Sequence, residues 1–280
     1  MAISSHNFKF IQDFARDTAA IVLDPGKEYL VESRLTPIAR QSGFGTLDEF
    51  VDQLRTDRKA VLFHEQVMDA LTTNETSFFR DFHPFEALRH HVLPRLIEQR
   101  AGVKRLSIWS AASSTGQELY TIAMLIREYF PQLRDWNITI LGTDLSTTVL
   151  DQAREGTYSQ IEVNRGLPAA FLLKHFTKND TKWTIKDDVK KMVEYRQMNL
   201  VKPWPIMPVF DVVFIRNVMI YFDVESKRGI LKRIRQCLQP QGYLFLGTAE
   251  TTINLDPEWS PSMLGKATVY QTKSAAVPAR

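Results

Sequence analysis

From residue 106 onward the chain alternates short β-branched and aromatic runs with helical stripes, and this alternation restricts the architecture more than any other feature. The runs are residues 106–110, 138–143, 192–198, 210–215, 243–247 and 267–272. Between the first two, Leu119, Ile122, Ala123, Ile126 and Phe130 recur at i, i+3, i+4, i+7 and i+11, one face of a helix. Strand, helix, strand in that order predicts an α/β fold of βαβ units with right-handed crossovers on a parallel sheet. Residues 212–215 are apolar without alternation, as a central strand covered on both faces requires.

The preceding stretch has a different period. Phe10, Phe14 and Ile21, then Leu47, Phe50, Val51 and Leu54, recur at helical spacing, with breaks at Pro25-Gly26 and Gly43-Phe44-Gly45. Four short helices are expected, in an all-helical N-terminal domain of residues 1–73. A linker of residues 74–105 and an α/β domain of residues 106–280 follow. Within the latter, residues 154–195 are too many and too polar for one connecting helix. Trp183, Ile185 and Val189 suggest short antiparallel strands there, hence a small inserted β subdomain. Residues 274–280 read as a frayed tail.

Several function classes are disfavoured. The apolar runs fall far short of the roughly 20 residues of a membrane helix. Asp13, Arg16 and Asp17 interrupt any signal-like core, so the chain reads as soluble and cytoplasmic. One cysteine, Cys237, cannot form an internal disulfide or a cysteine cluster. His90 and His91 are adjacent, and His6, His64, His83 and His175 are scattered, so no metal site is expected. A net charge of +3 is too modest to imply nucleic acid as a partner. No G-x-S-x-G elbow or P-loop supports a hydrolase or NTPase.

In open α/β sheets ligands sit at the carboxyl ends of the strands. After the first run comes the small-residue loop 110–116, opening a helix at Gln117-Glu118, where a ligand can approach backbone N–H donors. The alternative is a plain turn with Thr115 and Glu118 as a capping box. The loop lacks the G-x-G-x-x-G spacing of ordinary NAD sites. Asp144 ends the second run, placed either to accept two ribose hydroxyls or to N-cap the next helix. Asn199 closes the third run and Arg216-Asn217 the fourth. Before the sheet, Arg80 is either the partner of a ligand carboxylate or a solvated residue.

Three segments together resemble the chemotaxis receptor methyltransferases, the CheR family: NETSFFR at 74–80, WSAASSTGQE at 109–118 and RNVMIYFD at 216–223. Their order and spacing match across nearly the whole chain. The resemblance implies a class I S-adenosylmethionine-dependent (Rossmann-like) methyltransferase domain with an antiparallel β insertion, preceded by an all-helical domain. It implies methyl transfer to glutamate side chains on the cytoplasmic helices of membrane chemoreceptors, giving glutamyl methyl esters. It puts Asn74, Thr76 and Arg80 near the cofactor's methionine portion, Glu118 at its amino group and Asp144 at its ribose. Asn199 and Leu200 would flank the adenosine, and Arg216 and Asn217 the methyl-transfer end. Tyr221, with Arg216, is the candidate catalytic group, its hydroxyl orienting the acceptor carboxylate; the other reading of Tyr221 is a core aromatic.

The chain departs from the family in places. Gln117-Glu118-Leu119 stands where members often read Glu-Glu-Pro, and Gly247-Thr248-Ala249-Glu250 where they often read Gly-His-Ser-Glu, but both glutamates are kept. The segment TKNDTK at 177–182 has no glycine and looks shorter than the loop with which some members grip a receptor's C-terminal peptide tether. Tether-independent receptor binding is therefore expected. Lys27 and Arg34, seven residues apart, are candidates for docking acidic receptor helices, against a solvated helix face. Methylation of another acceptor, and a non-catalytic receptor-binding adapter, remain the alternatives.

Overall fold

The structure is a computed structural model and describes residues 3–56 and 61–273, without the side chains of residues 61 and 62. The 274–280 tail lies outside the described residues. The chain divides into two compact units, Met1–Asn74 with Tyr221–Ser226, and Glu75–Ile220 with Lys227–Arg280.

The first unit holds α1 (Ser5–Ala19), α2 (Glu28–Gln41), α3 (Leu47–Thr56) and α4 (Val61–Leu71). Ser4 caps α1 by accepting the N–H of Asn7, and Ala20 ends it in a left-handed conformation. Phe8, Ile11 and Ala15 of α1, Val31, Leu35 and Ala39 of α2, Phe50 and Leu54 of α3 and Val67 and Leu71 of α4 are buried. That three- and four-residue spacing puts one apolar face of each helix into a shared core. Residues 221–226 join the unit through an antiparallel bridge between Ile21 and Phe222 and a bond from the Val22 N–H to the Tyr221 carbonyl.

The second unit opens with α5 (His83–Ala87), a π-helical turn (Leu88–Val92) and α6 (Leu93–Arg100). Phe85, Leu88, Val92, Leu93 and Leu96 of these elements are buried in one cluster with the strand residues Ile108 and Phe214. The stretch expected as a linker is thus largely helical and part of the core, because its apolar residues recur at helical spacing.

There follow β1 (Arg105–Ala111), α7 (Gln117–Tyr129), β2 (Asn137–Asp144) and α8 (Thr147–Glu155). The insertion comprises β3 (Thr157–Ser159), α9 (Gln160–Asn164), α10 (Ala169–His175), β4 (Phe176–Asn179), β5 (Lys182–Ile185) and α11 (Asp187–Lys190). Then come β6 (Val193–Gln197), β7 (Phe210–Ile215), α12 (Val224–Gln236), β8 (Leu238–Leu246), β9 (Trp259–Leu264) and β10 (Ala267–Thr272).

The main sheet has the order β6-β2-β1-β7-β8-β10-β9. Its first five strands are parallel, and β10 runs antiparallel to both β8 and β9. This is the class I methyltransferase-type α/β fold, preceded by an all-helical unit. All six residues of β7 are buried in the middle of the sheet, the apolar run 212–215 together with Phe210 and an Asp211 that accepts Arg100 Nε (2.9 Å) and the Ser107 N–H (2.8 Å). The sequence gives no sign of β9, a Pro-containing edge strand whose buried residues are only its two ends. The insertion is a three-stranded antiparallel sheet, β3-β5-β4. Val189, expected in a strand there, lies in α11. TKNDTK resolves into strand ends around a two-residue turn, Asp180-Thr181, with Asp180 at φ 55°.

Candidate functional site

Strand order reverses at β1, with β2 on one side and β7 on the other, and the crevice at such a switch point is where α/β sheets bind ligands. The loop leaving β1 carries Ala112 at φ 61°, Ser114 at φ 50° and Gly116 at φ 91°. Left-handed backbone at two residues with a Cβ persists only where the surroundings enforce it. Here the Ser113 N–H donates to the Thr143 carbonyl (2.9 Å) and the Ser114 N–H to Asp144 Oδ2 (2.8 Å). The Tyr158 hydroxyl donates to the Thr115 carbonyl (2.7 Å) and the Gly116 N–H to the Ser113 carbonyl (3.1 Å). Glycine is needed at 116, where a Cβ would lie 2.5 Å from the Tyr195 hydroxyl.

The capping-box alternative fails on geometry. The N-cap of α7 is Gly116, without a side-chain cap, and the Thr115 hydroxyl bonds Gln117 Oε1. Glu118 turns to the sheet edge, where its Oε1 accepts the Ser110 hydroxyl (2.8 Å) and its Oε2 accepts Arg216 Nη1 (2.7 Å). The N-cap alternative for Asp144 fails likewise, since Ser146 caps α8. Asp144, buried at the end of β2, uses Oδ1 to accept the Ser146 N–H (3.1 Å) and so joins the β1 and β2 loops.

Arg216, expected at the methyl-transfer end, has a side chain only 2% exposed, with both terminal nitrogens bonded and Nε without a hydrogen-bond partner among the described residues. Besides Glu118 it donates from Nη2 to Asp81 Oδ2 (2.7 Å) and to the Arg80 carbonyl (2.8 Å), with its guanidinium carbon 5.5 Å from the Phe85 ring centre. A planar five-donor fork suits this three-way clamp. Two carboxylates around one guanidinium leave the corner with a formal charge of −1.

Next to it, Asn217 is held at φ 57°. Its N–H donates to Glu250 Oε2 (2.8 Å), and the Val218 N–H to Glu250 Oε1 (2.9 Å). Gly247 donates to the same carboxylate (2.7 Å), and a Cβ at 247 would lie 2.8 Å from the Asn217 nitrogen. Glu250 thus fixes the loop after β7.

At the end of β6, the Met198 N–H bonds the Asp144 carbonyl, which brings Asn199 and Leu200 to the same edge. Asn199 Oδ1 accepts the Val201 N–H (3.0 Å), and the buried Leu200 offers its carbonyl to the Trp204 indole (3.0 Å). Before the sheet, Phe79, Asp81 and Phe82 all have positive φ. In this tight turn Arg80 donates to the Glu75 carbonyl (2.6 Å), and Thr76 is half-buried.

Thr76, Arg80, Glu118, Asp144, Asn199, Leu200, Arg216 and Asn217 therefore belong to one unit, whereas Asn74 and Tyr221 belong to the helical one. There Asn74 Nδ2 donates to the Thr72 hydroxyl (3.0 Å). Arg34 is taken up by the Leu71 and Thr72 carbonyls at the end of α4, so of the proposed docking pair Lys27 is the exposed member.

Three buried polar atoms at the strand ends, Ser113 Oγ, Arg216 Nε and Asn217 Oδ1, have no hydrogen-bond partner among the described residues. Such atoms call for a ligand or water. With the Glu118 and Asp144 carboxylates, at the start of α7 and the end of β2, they form a donor and acceptor set that fits a cationic nucleoside. Sequence reading gave Ser110 and Ser113 no individual role within the 109–118 segment, and it missed Asp81 and Tyr158, which no motif marks. Beneath the loop, burial pushes the Tyr120 hydroxyl up to about 12 and those of Tyr158 and Tyr195 well above their ordinary value, so all three stay protonated.

Comparison with known proteins bears on what such a site holds. The family described as "CheR methyltransferase, SAM binding domain" matches residues 74–267, and "CheR methyltransferase, all-alpha domain" matches residues 6–72. Chemotaxis protein methyltransferase 1 of Pseudomonas aeruginosa is 40% identical over 278 residues, covering 98% of this chain and 100% of that protein. Chemotaxis protein methyltransferase Cher2 of Pseudomonas putida is 38% identical over 278 residues, again 98% and 100%. A Vibrio cholerae chemotaxis protein methyltransferase 1 is 35% identical over 277 residues, 98% and 99%.

Proposed function

We propose that this chain, which belongs to the CheR methyltransferase family, methylates glutamate side chains on the cytoplasmic helices of chemoreceptors. It is an S-adenosylmethionine-dependent methyltransferase of chemotaxis; glutamate as acceptor is our reading. The observation that carries it is the pair of carboxylates at the switch point: Glu118, at the start of α7 and bonded to Ser110 of β1, and Asp144, at the end of the adjacent parallel strand β2.

When bound, S-adenosylmethionine supplies an electrophilic methyl group on a sulfonium. Glu118 would accept the ammonium of its methionine portion, in a corner whose formal charge of −1 complements a cation. Asp144 would accept the ribose hydroxyls, with Asn199 and Leu200 beside the adenosine. Thr76, Arg80 and Asn74 would serve the methionine portion, Arg80 by pairing with the carboxylate. Asn217 would serve the methyl-transfer end. Arg216 acts here as a positioning residue: its buried clamp fixes the rotamer of Glu118.

The acceptor makes few chemical demands. A glutamate with a pKa near 4.3 is already ionised at neutral pH, so no strong base is needed. The protein must instead place the carboxylate, strip water from it and hold it in line with the methyl–sulfur bond. The Tyr221 hydroxyl is our proposal for the group that orients it. Carboxylate and sulfonium neutralise each other as the ester forms, so a less hydrated site favours transfer.

Receptor engagement without a C-terminal peptide tether is supported by the tight Asp180-Thr181 turn, which has no glycine-rich extension. Among the described residues no helix is long and apolar enough to cross a membrane. The test of the acceptor is peptide mapping by mass spectrometry of receptor incubated with enzyme and S-adenosylmethionine. Methyl increments confined to glutamates of cytoplasmic helices are expected; increments on lysine, asparagine or arginine would refute the reading.

A further inference from the structure

Tyr158 lies outside every motif, yet it fixes the strained loop after β1. It sits on β3 of the insertion, opposite Trp183 of β5, and is fully buried. Its ring makes edge contacts with Phe78 (5.0 Å between centres), Phe176 (6.4 Å) and Tyr120 (6.5 Å), so three separate segments confine it. Phe78 is locked in turn: its carbonyl lies 2.2 Å from where a Cβ on Gly166 would be, a contact only glycine permits. With the ring confined, the hydroxyl reaches the Thr115 carbonyl at 2.7 Å.

The Thr115–Gly116 peptide is therefore held at both ends, its carbonyl by Tyr158 and its N–H by the Ser113 carbonyl (3.1 Å). This peptide lies between Ser114, at φ 50°, and α7, whose N-cap is Gly116 at φ 91°. Without the hydroxyl, the Thr115 carbonyl loses its donor and the left-handed residues lose one of the contacts that enforce them. The loop would then populate other conformations, and binding must select the competent one.

We propose that Tyr158 is a positioning residue for S-adenosylmethionine, through which the antiparallel insertion sets the cofactor affinity of the β1–α7 loop. This rests on the reading that the loop and Asp144 hold the cofactor. Affinity coupling is reciprocal, so whatever displaces β3 changes cofactor affinity by the same factor that the cofactor changes its binding.

The test is calorimetric titration of S-adenosylmethionine into the full-length wild type, Y158F, Y120F and D144N, with Tm measured for each. Y120F is the matched control, since it loses a buried hydroxyl bonded to the Ala153 carbonyl (2.7 Å) rather than to the loop. In Y158F, Kd and KM for S-adenosylmethionine should rise about tenfold, the loss of one buried hydrogen bond, with kcat at saturation within about twofold. Y120F should lower Tm while Kd stays within about twofold of wild type. Incorporating 3-fluorotyrosine at 158, which keeps the donor, should restore wild-type affinity and folding. Wild-type Kd in folded Y158F, with D144N weakened, overturns the role of Tyr158 alone, as does failure of 3-fluorotyrosine to restore affinity. Wild-type Kd in D144N overturns the cofactor reading and this proposal with it.

Discussion

Replacing Glu118 with Gln removes one charge while keeping the shape of the side chain, and its effect on cofactor binding follows from the contacts. Glu118 is 13% exposed, and its Oε1 is satisfied by Ser110 and its Oε2 by Arg216, so the amide must present an N–H either to a hydroxyl or to a guanidinium. The hydroxyl can rotate to accept it, whereas the guanidinium cannot. The carbonyl oxygen thus stays on Arg216, which keeps Asp81 and the Arg80 carbonyl as further partners. The fold should survive with Tm lowered by a few degrees. The ligand ammonium, however, loses a charge-assisted hydrogen bond, about 1.5–3 kcal/mol, which is roughly a 10- to 150-fold rise in Kd. Titration calorimetry with S-adenosylmethionine and S-adenosylhomocysteine should show the same loss for both, because both carry the ammonium. Wild-type affinity for either ligand in a folded E118Q protein would refute this reasoning, and a loss confined to S-adenosylmethionine would move Glu118 from the amino group to the sulfonium.

The other expectations concern the acceptor and stability. Tyr221→Phe should reduce kcat on saturating receptor about tenfold or more while cofactor Kd stays near wild type, in keeping with loss of a general orienting hydrogen bond; unchanged kcat removes Tyr221 from the reaction. Deleting the C-terminal tail of the receptor should leave initial rates of methylation unchanged, and a steep loss would show that a tether is used. Stability should decline on acidification below about pH 6.5. Burial holds His175 below its ordinary value of 6.5 despite Glu128 Oε1 at 2.7 Å, so the unfolded chain takes up the proton first and folding is penalised as pH falls through the unfolded value. Lys174 and Arg127 also face this group and oppose its charging. Glu128, held below its usual range by Lys174 and His175 despite burial, adds a second loss at lower pH. In His175→Gln the decline between pH 7 and 5.5 should flatten, as Tm against pH will show.

The sheet was legible because residues 212–215 of its central strand are apolar without alternation and the α7 stripe at 119–130 has an unambiguous period. The edge strand β9 was illegible because Ser260 to Met263 are exposed and Pro261 masks any alternation. Residues 74–105 read as a linker because the helices there are short and interrupted by Pro84, Pro94 and a π-helical turn, although their apolar residues belong to the main core. Carboxylates at strand ends were found from topology alone, but whether each caps a helix or faces a ligand depended on contacts far apart in sequence. Glu118 pairs with a residue 98 positions away, and Ser114 with one 30 away. Tyr158 was invisible for the same reason: nothing local distinguishes a tyrosine that reaches a loop 43 residues earlier from one that fills a core.

Methyl-labelled S-adenosylmethionine, incubated with the protein and chemoreceptor membranes and then treated with alkali, tests the proposed reaction at its product. Glutamyl methyl esters hydrolyse to methanol, so label should accumulate on receptor with time and leave as a volatile species after base. Receptor label that withstands alkali, or receptor that stays unlabelled while the protein binds S-adenosylmethionine, would contradict esterification of a receptor glutamate.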